Sequence, residues 1–389
     1  MKKIIAIILI LALIFTFVAC GDKPEGNNGE ENGESQSQEN GEETKEEESE
    51  QEQTNPINGL AGNTYELSLG SVQSVPVNEG VVKLCDLVEE YSTGTLVIKE
   101  ITEDTPTDDA KKLRKVMDGE LDIAIGRSDG FASIIKDLHL FDVYYLFQSK
   151  EEVYNVALSS EVIDALEASF EKKGLKCLSL WGNGFDELTV NKKKVIKPKN
   201  LKNLKIATSD SEIDKAAWKA MGAKAVAMDP EDRLKAIESK KVGGQESDLE
   251  TIIESEYQNL QKYCVMTNHT YTPYVVVMNL EKYNSLGELQ QKALLDSVVY
   301  GRNLELERCD AFNKYALDLI DKSEMEIIEL TDEQKEAFQD KAKAAKTKKK
   351  AKKLMKHPEL LDYLEGKLEV YRVESATDET EEATIDFGE

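Results

Sequence analysis

Short apolar segments alternate with amphipathic segments through the first half of the chain beyond residue 62. Residues 65–69 alternate apolar and polar positions and predict a strand, and residues 77–92 place Val81, Leu84 and Val88 on one helical face. Strands at 95–98 and 121–125, with a helix at 108–119 between them, continue the order. A strand–helix–strand–helix–strand start predicts an α/β architecture.

The second half repeats this alternation. The pattern predicts a loop at 243–246, after the last predicted helix of this half, and a helix-rich stretch from about 285 to 370 that finishes the core. Its strands are predicted at 187–190, 204–208, 225–228 and 274–278, and its helices at 211–221 and 230–240. If strands 187–190 and 274–278 both cross between lobes, they form a hinge. A folded part of about 59–370 is long enough for two lobes rather than one core.

The first 58 residues predict export and anchoring rather than a folded core. Residues 1–19 combine two lysines with a short apolar run, which is the layout of a signal peptide. Phe17–Gly21 resembles a lipobox, so Cys20 is expected to carry a diacylglycerol; the alternative is an ordinary signal with a chance cysteine. Residues 20–58 are expected to form a disordered tether, because 21–55 hold thirteen acids, two lysines and no aliphatic or aromatic residue.

The formal net charge of −26 lies largely at the two ends of the chain. The tether supplies −11, and residues 371–389, expected to be a disordered acidic tail, supply −6. This sign disfavours nucleic-acid binding. The basic run 341–356 is interpreted first as a solvated helix that balances the acidic tail; a contact with anionic lipid or a membrane protein is the alternative.

Nothing in the sequence indicates catalysis, a metal site or a cofactor. His139, His269 and His357 lack metal-binding spacing, and the sequence has no nucleophile-elbow or phosphate-loop motif. The cysteines at 85, 177, 264 and 309 form no CxxC pair and are expected to be buried thiols rather than disulfides.

Six local motifs resemble one family of transport proteins. In chain order they are LVEEYSTG at 87–94, GELDIA at 119–124, WGNGF at 181–185, LKNLKI at 201–206, WKAMGA at 218–223, and VGGQE at 242–246 followed by TNHTYTPY at 267–274. Their order and spacing resemble the DctP-like solute-binding proteins of tripartite ATP-independent periplasmic (TRAP) transporters. The resemblance covers roughly residues 65–345.

This resemblance implies a two-lobe, type II periplasmic-binding-protein-like fold with hinge strands and a long interlobe helix. Lobe 1 is expected at about 62–185 and lobe 2 at about 186–276, each completed by part of the C-terminal helices. It implies capture of a small ligand, usually an organic acid, and delivery to a membrane permease pair. A sensor that signals to a receptor, or a scaffold without a working cleft, are the alternatives.

Several positions depart from the family pattern in ways that remove positive charge. Ala207 stands where an arginine usually pairs with a ligand carboxylate, and Gln148 and Asp186 replace two further frequent arginines. Ser247 replaces an asparagine. These departures leave open whether the ligand is anionic, neutral or cationic.

Arg127, at the end of a predicted strand, is the main candidate to replace the missing arginine. The alternative for Arg127 is a surface arginine that pairs with Asp129. Asp109 is better explained as a first-turn acid of a helix than as a ligand contact. The full set of candidate ligand-binding residues is Asp109, Arg127, Gln148, Trp181, Asn183, Phe185, Asp186, Thr208, Ser247 and Tyr271.

Overall fold

The structure is a computed structural model that describes residues 63–385 apart from 103, 104, 106 and 192. The predicted signal peptide, Cys20 and the tether at 20–58 therefore lie outside the described residues. No helix within the described ranges is both long enough and apolar enough to cross a membrane.

The strands, in chain order, are β1 (Tyr65–Gly70), β2 (Leu96–Glu100), β3 (Ile123–Arg127), β4 (Leu175–Trp181), β5 (Glu187–Val190), β6 (Lys205–Thr208), β7 (Lys224–Ala227), β8 (Gly244–Ser247), β9 (Tyr263–Met266), β10 (Tyr274–Asn279) and β11 (Glu326–Glu329). The α-helices are α1 (Val75–Tyr91), α2 (Asp109–Met117), α3 (Ser128–Phe131), α4 (Lys150–Glu152), α5 (Ser160–Glu171), α6 (Glu212–Met221), α7 (Pro230–Glu238), α8 (Leu249–Glu254), α9 (Leu280–Ser285), α10 (Glu288–Asp321), α11 (Asp332–Ala345), α12 (Thr347–Leu354) and α13 (Glu359–Ile385). A 3₁₀-helix at Lys136–Asp142 and a π-helix at Val153–Ala157 add to lobe 1.

Two mixed sheets define the two lobes. Lobe 1 has the strand order β2-β1-β3-β10-β4, in which β10 runs antiparallel to both neighbours. Lobe 2 has the order β11-β9-β5-β8-β6-β7. The fold class predicted from the sequence is confirmed. The lobe boundary at 276 is corrected to the start of β10, because that strand pairs within the sheet of lobe 1.

The chain crosses between the lobes through connecting segments rather than through strands. Strands β5 and β10 each lie wholly within one sheet, so the condition under which these two strands would form a hinge is not met. The crossings are the β4–β5 and β9–β10 segments, which touch at an isolated antiparallel bridge between Phe185 and Tyr271. Helix α10 makes a third connection, since it packs on α1 in lobe 1 and on α8 in lobe 2.

Helices α1 and α10 approach closely at two glycines. A Cβ built on Gly80 would lie 2.8 Å from the carbonyl oxygen of Gly301 and 2.8 Å from Cζ3 of Trp181. A Cβ built on Gly301 would lie 2.8 Å from the carbonyl oxygen of Gly80. The Trp181 side chain is fully buried beside this contact. The absence of side chains at these positions therefore sets the distance between the helices.

Substituting Gly80 by alanine is expected to lower the free energy of unfolding by about 1–3 kcal/mol, because the added methyl overpacks the contact. Gly366→Ala is the matched control: this helical glycine has open space around its Cβ position. Alanine there should be neutral or slightly stabilising, since it improves helix propensity. Denaturant unfolding of both variants checks the result, and equal midpoints would contradict the packing argument.

The C-terminal helices belong to the folded unit. Arg372 of α13 forms an ion pair with Glu152 at 2.7 Å, so the predicted boundary at residue 370 falls too early. The lysines of α12 pair with acids of α13, namely Lys348 with Glu365 and Lys352 with Asp362. Part of the basic run thus forms ion pairs with acids. These acids lie in α13 before residue 371, however, and not in the predicted acidic tail 371–389.

Candidate functional site

The candidate site lies where the carboxyl ends of strands from both sheets meet. Arg127 is the last residue of β3 in lobe 1, Thr208 ends β6 in lobe 2, and Ser247 ends β8. Ligands of open α/β sheets bind outside the carboxyl ends of strands. Three of the predicted residues are therefore at positions that suit binding.

Arg127 connects the lobes. Its Nε lies 3.2 Å from Oδ1 of Asp129, and one terminal nitrogen lies 3.4 Å from Oδ2 of Asp248 at the start of α8 in lobe 2. The nearby carboxylates of Asp129, Asp186 and Asp248 outweigh the effect of burial and raise the pKa of Arg127, so the guanidinium stays charged. The predicted pairing with Asp129 is present, and an interlobe ion pair accompanies it.

Asp109 holds the backbone of Arg127 in place through a hydrogen bond. Its Oδ2 accepts the backbone N–H of Arg127 at 3.1 Å, and its Oδ1 accepts from Nζ of Lys112 at 3.1 Å. Both carboxylate oxygens therefore have protein partners. This placement agrees with the structural interpretation of Asp109.

Glu246 is the centre of a buried hydrogen-bond network. Its carboxylate accepts from Nε1 of Trp218 at 2.6 Å, from the Tyr144 hydroxyl at 3.1 Å, and from the Thr208 hydroxyl, and it lies 3.0 Å from Nε2 of His269. Burial acts to raise the pKa of Glu246, but His269, Arg233 and the hydroxyl donors hold it below its ordinary value. Tyr144 belongs to lobe 1, so this network also joins the lobes.

The two crossing segments are hydrogen-bonded to each other. The Asn183 N–H donates to the Tyr271 hydroxyl, which in turn donates to the Asn183 carbonyl, both at 2.7 Å. The rings of Phe185 and Tyr271 meet edge to face with centroids 5.1 Å apart. Asp186 accepts from the Thr270 hydroxyl at 2.9 Å. Asn183, Phe185 and Tyr271 therefore act first as parts of the junction.

Acidic groups dominate the junction. Burial raises the pKa of Asp186 to about 6, although the Arg127 guanidinium acts in the opposite direction. Burial also raises the pKa of Asp142 despite its hydrogen bond to His139, and burial together with Glu246 raises the pKa of Asp214. Asp142, Asp214 and Asp248 were not identified from the sequence. Asp248 would have been found if β8 had been recognised as a strand.

A further interlobe contact lies at the start of α1. Glu250 of α8 accepts from the Ser74 hydroxyl at 2.9 Å and from the Val75 N–H at 2.8 Å. Burial, followed by the charges of Glu254 and Asp248, raises the pKa of Glu250 to about 8. Glu250 is therefore largely protonated at neutral pH while this contact is formed.

Two predicted ligand residues lie away from this junction, and one secondary-structure prediction is wrong. Gln148 is exposed, and its backbone N–H donates to Glu152. Trp181 is the last residue of β4, and it packs between α1 and α10. The loop predicted at 243–246 is largely strand β8, whose four residues are buried although only polar side chains and glycine occur in it.

Ala207, which stands where the family usually has an arginine, leaves no exposed gap in the sheet. Ala207 is fully buried, and the Thr208 hydroxyl beside it is bonded to Glu246. Ser247 accepts from Nε2 of Gln245 at 3.0 Å. Within the described ranges, no group of three or more histidine, cysteine or carboxylate residues is placed to hold a metal ion.

Residues 71–353 match the family described as bacterial extracellular solute-binding protein, family 7, or DctP. The chain belongs to this family. Its members are solute-binding proteins rather than enzymes, which agrees with the absence of catalytic motifs in the sequence. The predicted relationship to TRAP transporters is confirmed at this level.

Named relatives of this TRAP solute-binding protein extend the comparison. The 2,3-diketo-L-gulonate-binding periplasmic protein of Escherichia coli is 28% identical over 283 residues, which are 73% of this chain and 85% of the relative. The C4-dicarboxylate-binding periplasmic protein DctP of Rhodobacter capsulatus is 24% identical over 271 residues, 68% of this chain and 80% of the relative.

A solved TRAP periplasmic solute-binding protein from Ochrobactrum anthropi superposes with a TM-score of 0.73 and 26% identity, over 84% of this chain and 99% of the other. That structure has a C-terminus bound in the ligand-binding pocket. A second, from Sulfurospirillum deleyianum with bound succinate, superposes with a TM-score of 0.67 and 22% identity, over 79% and 99% of the two chains.

Proposed function

We propose that this protein captures a small solute between its two lobes and delivers it to a TRAP-type membrane permease. The observation that carries the proposal is the junction itself: Arg127 of lobe 1 meets Asp248 of lobe 2 at the carboxyl ends of strands from both sheets. Tyr144 and Glu246 make a second contact across the same junction. Residues that join the lobes are the ones that a bound solute would contact when the lobes close.

The proposal includes anchoring at the outer face of the membrane. A lipid on Cys20, followed by the acidic segment 21–55, would hold the binding domain near the permease while leaving it free to turn. Cys20→Ser is expected to move the protein from the membrane fraction to the soluble fraction without changing ligand affinity. Recovery of the variant in the membrane fraction would exclude a lipid on Cys20.

The charge of the junction restricts the solute. Six carboxyl groups lie close together there: Asp129, Asp142, Asp186, Asp214, Glu246 and Asp248. The arginines that face them are Arg127 and Arg233, and Arg233 donates to the backbone carbonyl of Glu246 at 2.7 Å. Burial and neighbouring carboxylates raise the pKa of Asp142, Asp186 and Asp214, so a further carboxylate would add to the repulsion and an ammonium group would reduce it.

The solute is therefore an organic acid that also carries a basic amino group. The relatives named above bind acids, and Arg127 is a partly exposed cation of the junction. Its side chain is 29% exposed and its contacts to Asp129 and Asp248 are 3.2–3.4 Å, so it retains capacity for another acceptor. The amino group would face Asp142 and Asp214, whose described partners are His139 and Ser209.

Thermal unfolding with a panel of small solutes tests both parts of the proposal. The panel contains succinate, neutral sugars, amino acids and simple amines. A ligand at one hundred times its Kd adds about 2.7 kcal/mol to the free energy of unfolding. Stabilisation by amino acids is expected. Stabilisation by succinate but not by amino acids contradicts the solute class alone, and stabilisation by no solute contradicts the function.

Arg127→Ala is expected to weaken binding of an amino acid at least tenfold, because a charge-assisted hydrogen bond to the carboxylate is lost. The matched amine without a carboxylate should bind both forms with similar affinity. Lys83→Ala removes one exposed positive charge from α1 and serves as the control. Isothermal titration gives the affinities, and an unchanged Kd for the amino acid in Arg127→Ala would refute the role of Arg127.

A further inference from the structure

A cavity of about 750 Å³ opens on the outer face of lobe 1, away from the junction. It lies between the C-terminal ends of α2 and α5, the segment after α3, and the segment that follows α12. None of the ten predicted ligand-binding residues lines it. Its volume falls within the range of small-molecule sites, roughly 300–1,000 Å³.

Basic side chains line this cavity although the chain as a whole carries a net charge of −26. They come from four separate segments of lobe 1 and of the C-terminal region: Arg114, Lys136, Lys172, Lys173, Lys356 and His357. The four lysines and Arg114 form no ion pair with an acid anywhere in the described part of the chain. Elsewhere in the same region, lysines such as Lys348 and Lys352 do pair with acids.

The one acid of the lining is already used by the protein. Asp137 is 1% exposed and accepts from the Ser169 hydroxyl at 2.7 Å and from the backbone N–H groups of Lys356 and His357, also at 2.7 Å. Nδ1 of His357 lies 2.8 Å from the same carboxylate. Asp137 therefore holds the segment after α12 against lobe 1, and its oxygens are not available to the lysines.

His357 fixes the position of the Lys172 side chain through a hydrogen bond. Nε2 of His357 lies 3.0 Å from Nζ of Lys172. Because a lysine ammonium can only donate, Nε2 is the acceptor and Nδ1 carries the proton donated to Asp137. Lys172 is thereby held at the wall of the cavity, at the end of a hydrogen-bond chain that starts from a buried carboxylate.

The cavity also offers apolar surface. Met117, Ile134 and Ile135 line it together with the basic groups. A site with five unpaired cations needs a ligand with several negative charges, and a guanidinium with nearby ammonium groups is the arrangement that proteins use for phosphate. The apolar side chains would contact the carbon skeleton that carries the phosphate.

We propose that this cavity is a second binding site, which takes a small phosphate-bearing anion. The phosphate contacts Arg114 and the lysines, and the rest of the ligand lies against Met117 and Ile134. The site is separate from the junction between the lobes and does not depend on the solute bound there. The phosphate could belong to a free metabolite or to a lipid headgroup, and the two sources share the same chemistry.

Isothermal titration of the full-length chain with two probes tests this site. Pyrophosphate represents a free phosphate compound, and glycerophosphoglycerol represents the phosphodiester of a lipid headgroup. Binding of at least one probe is expected, with at least tenfold weaker affinity in Lys136→Ala/Lys173→Ala. Lys83→Ala/Lys219→Ala is the matched control, because it removes two exposed lysines that do not line the cavity.

The outcomes separate the explanations. Tighter binding of pyrophosphate indicates a free phosphate compound, and tighter binding of glycerophosphoglycerol indicates a headgroup; both support the site. Failure of both probes to bind, or equal weakening in the control variant, overturns it. Arg127→Ala should leave the affinity for either probe unchanged. The test of this site is therefore independent of the test of solute capture at the junction.

Discussion

Replacing Glu246 by alanine is expected to lower the free energy of unfolding by about 3–5 kcal/mol, the cost of removing one partner from a buried charged network. The side chains of Tyr144, Thr208, Trp218 and His269 would lose their shared acceptor. Each buried donor left without a partner costs about 1–3 kcal/mol, so several such losses together reach this range. Chemical denaturation monitored by tryptophan fluorescence measures the change.

Two further variants make this test specific. Glu246→Gln keeps one carbonyl acceptor and should lose less stability than Glu246→Ala. Glu90→Ala removes an exposed carboxylate from α1 and should change stability by no more than about 0.5 kcal/mol. A loss below about 1 kcal/mol in Glu246→Ala would show that water replaces the carboxylate without cost.

The free energy of unfolding is expected to fall by on the order of 8 kcal/mol as the pH rises from 5 to 8, which is the sum for three buried carboxyl groups. Burial raises the pKa of Glu250 and of Glu305 to about 8 and of Asp186 to about 6. In the unfolded chain these groups titrate near pH 4. Between pH 5 and 8 the folded state therefore binds more protons, and stability decreases with pH.

Glu250→Gln isolates one contribution to this slope. The variant should lose stability less steeply between pH 5 and 8, because the amide cannot ionise, and it should be more stable than the parent protein at pH 8. Glu90→Gln, at an exposed position, should leave the slope unchanged. Urea denaturation across the pH series gives the slopes; stability that rises from pH 5 to 8 would refute the prediction. Glu246, whose pKa is lowered, stabilises the fold equally from pH 5 to 8, and this stabilisation is lost only as the pH falls below that range.

The hydrophobic periodicity of the sequence was sufficient to predict a helix or strand where apolar side chains form its buried face. The predicted strand at 187–190 coincides with β5, and the helix predicted at 77–92 coincides with α1 to within two residues. Strand β8 was missed because both of its faces are buried and polar: Gln245 and Ser247 hydrogen-bond to each other, and Glu246 lies on the opposite face. Hydrophobic patterns carry no signal for a strand that satisfies buried polar groups.

The site was only partly predictable for a related reason. Arg127 could be placed at a strand end from the sequence, and the structure puts it there. Its partner Asp248 lies 121 residues away, and no local pattern links the two. Trp181 looked like a cleft residue within its motif, but the glycines on α1 and α10 that surround it lie 101 residues before and 120 residues after it. Contacts over such separations depend on the tertiary fold.

The described cysteines have a practical consequence for following motion of the lobes. Cys177, Cys264 and Cys309 are buried free thiols, as the sequence indicated, and Cys85 is partly buried. Burial, with the charges of Glu100 and Asp86, raises the pKa of Cys85 to about 11, and burial raises the pKa of the other three. Alkylating dyes react with thiolates, so these side chains react slowly. A cysteine introduced on the surface of each lobe will accept a fluorophore first, and energy transfer between the two labels will report opening and closing.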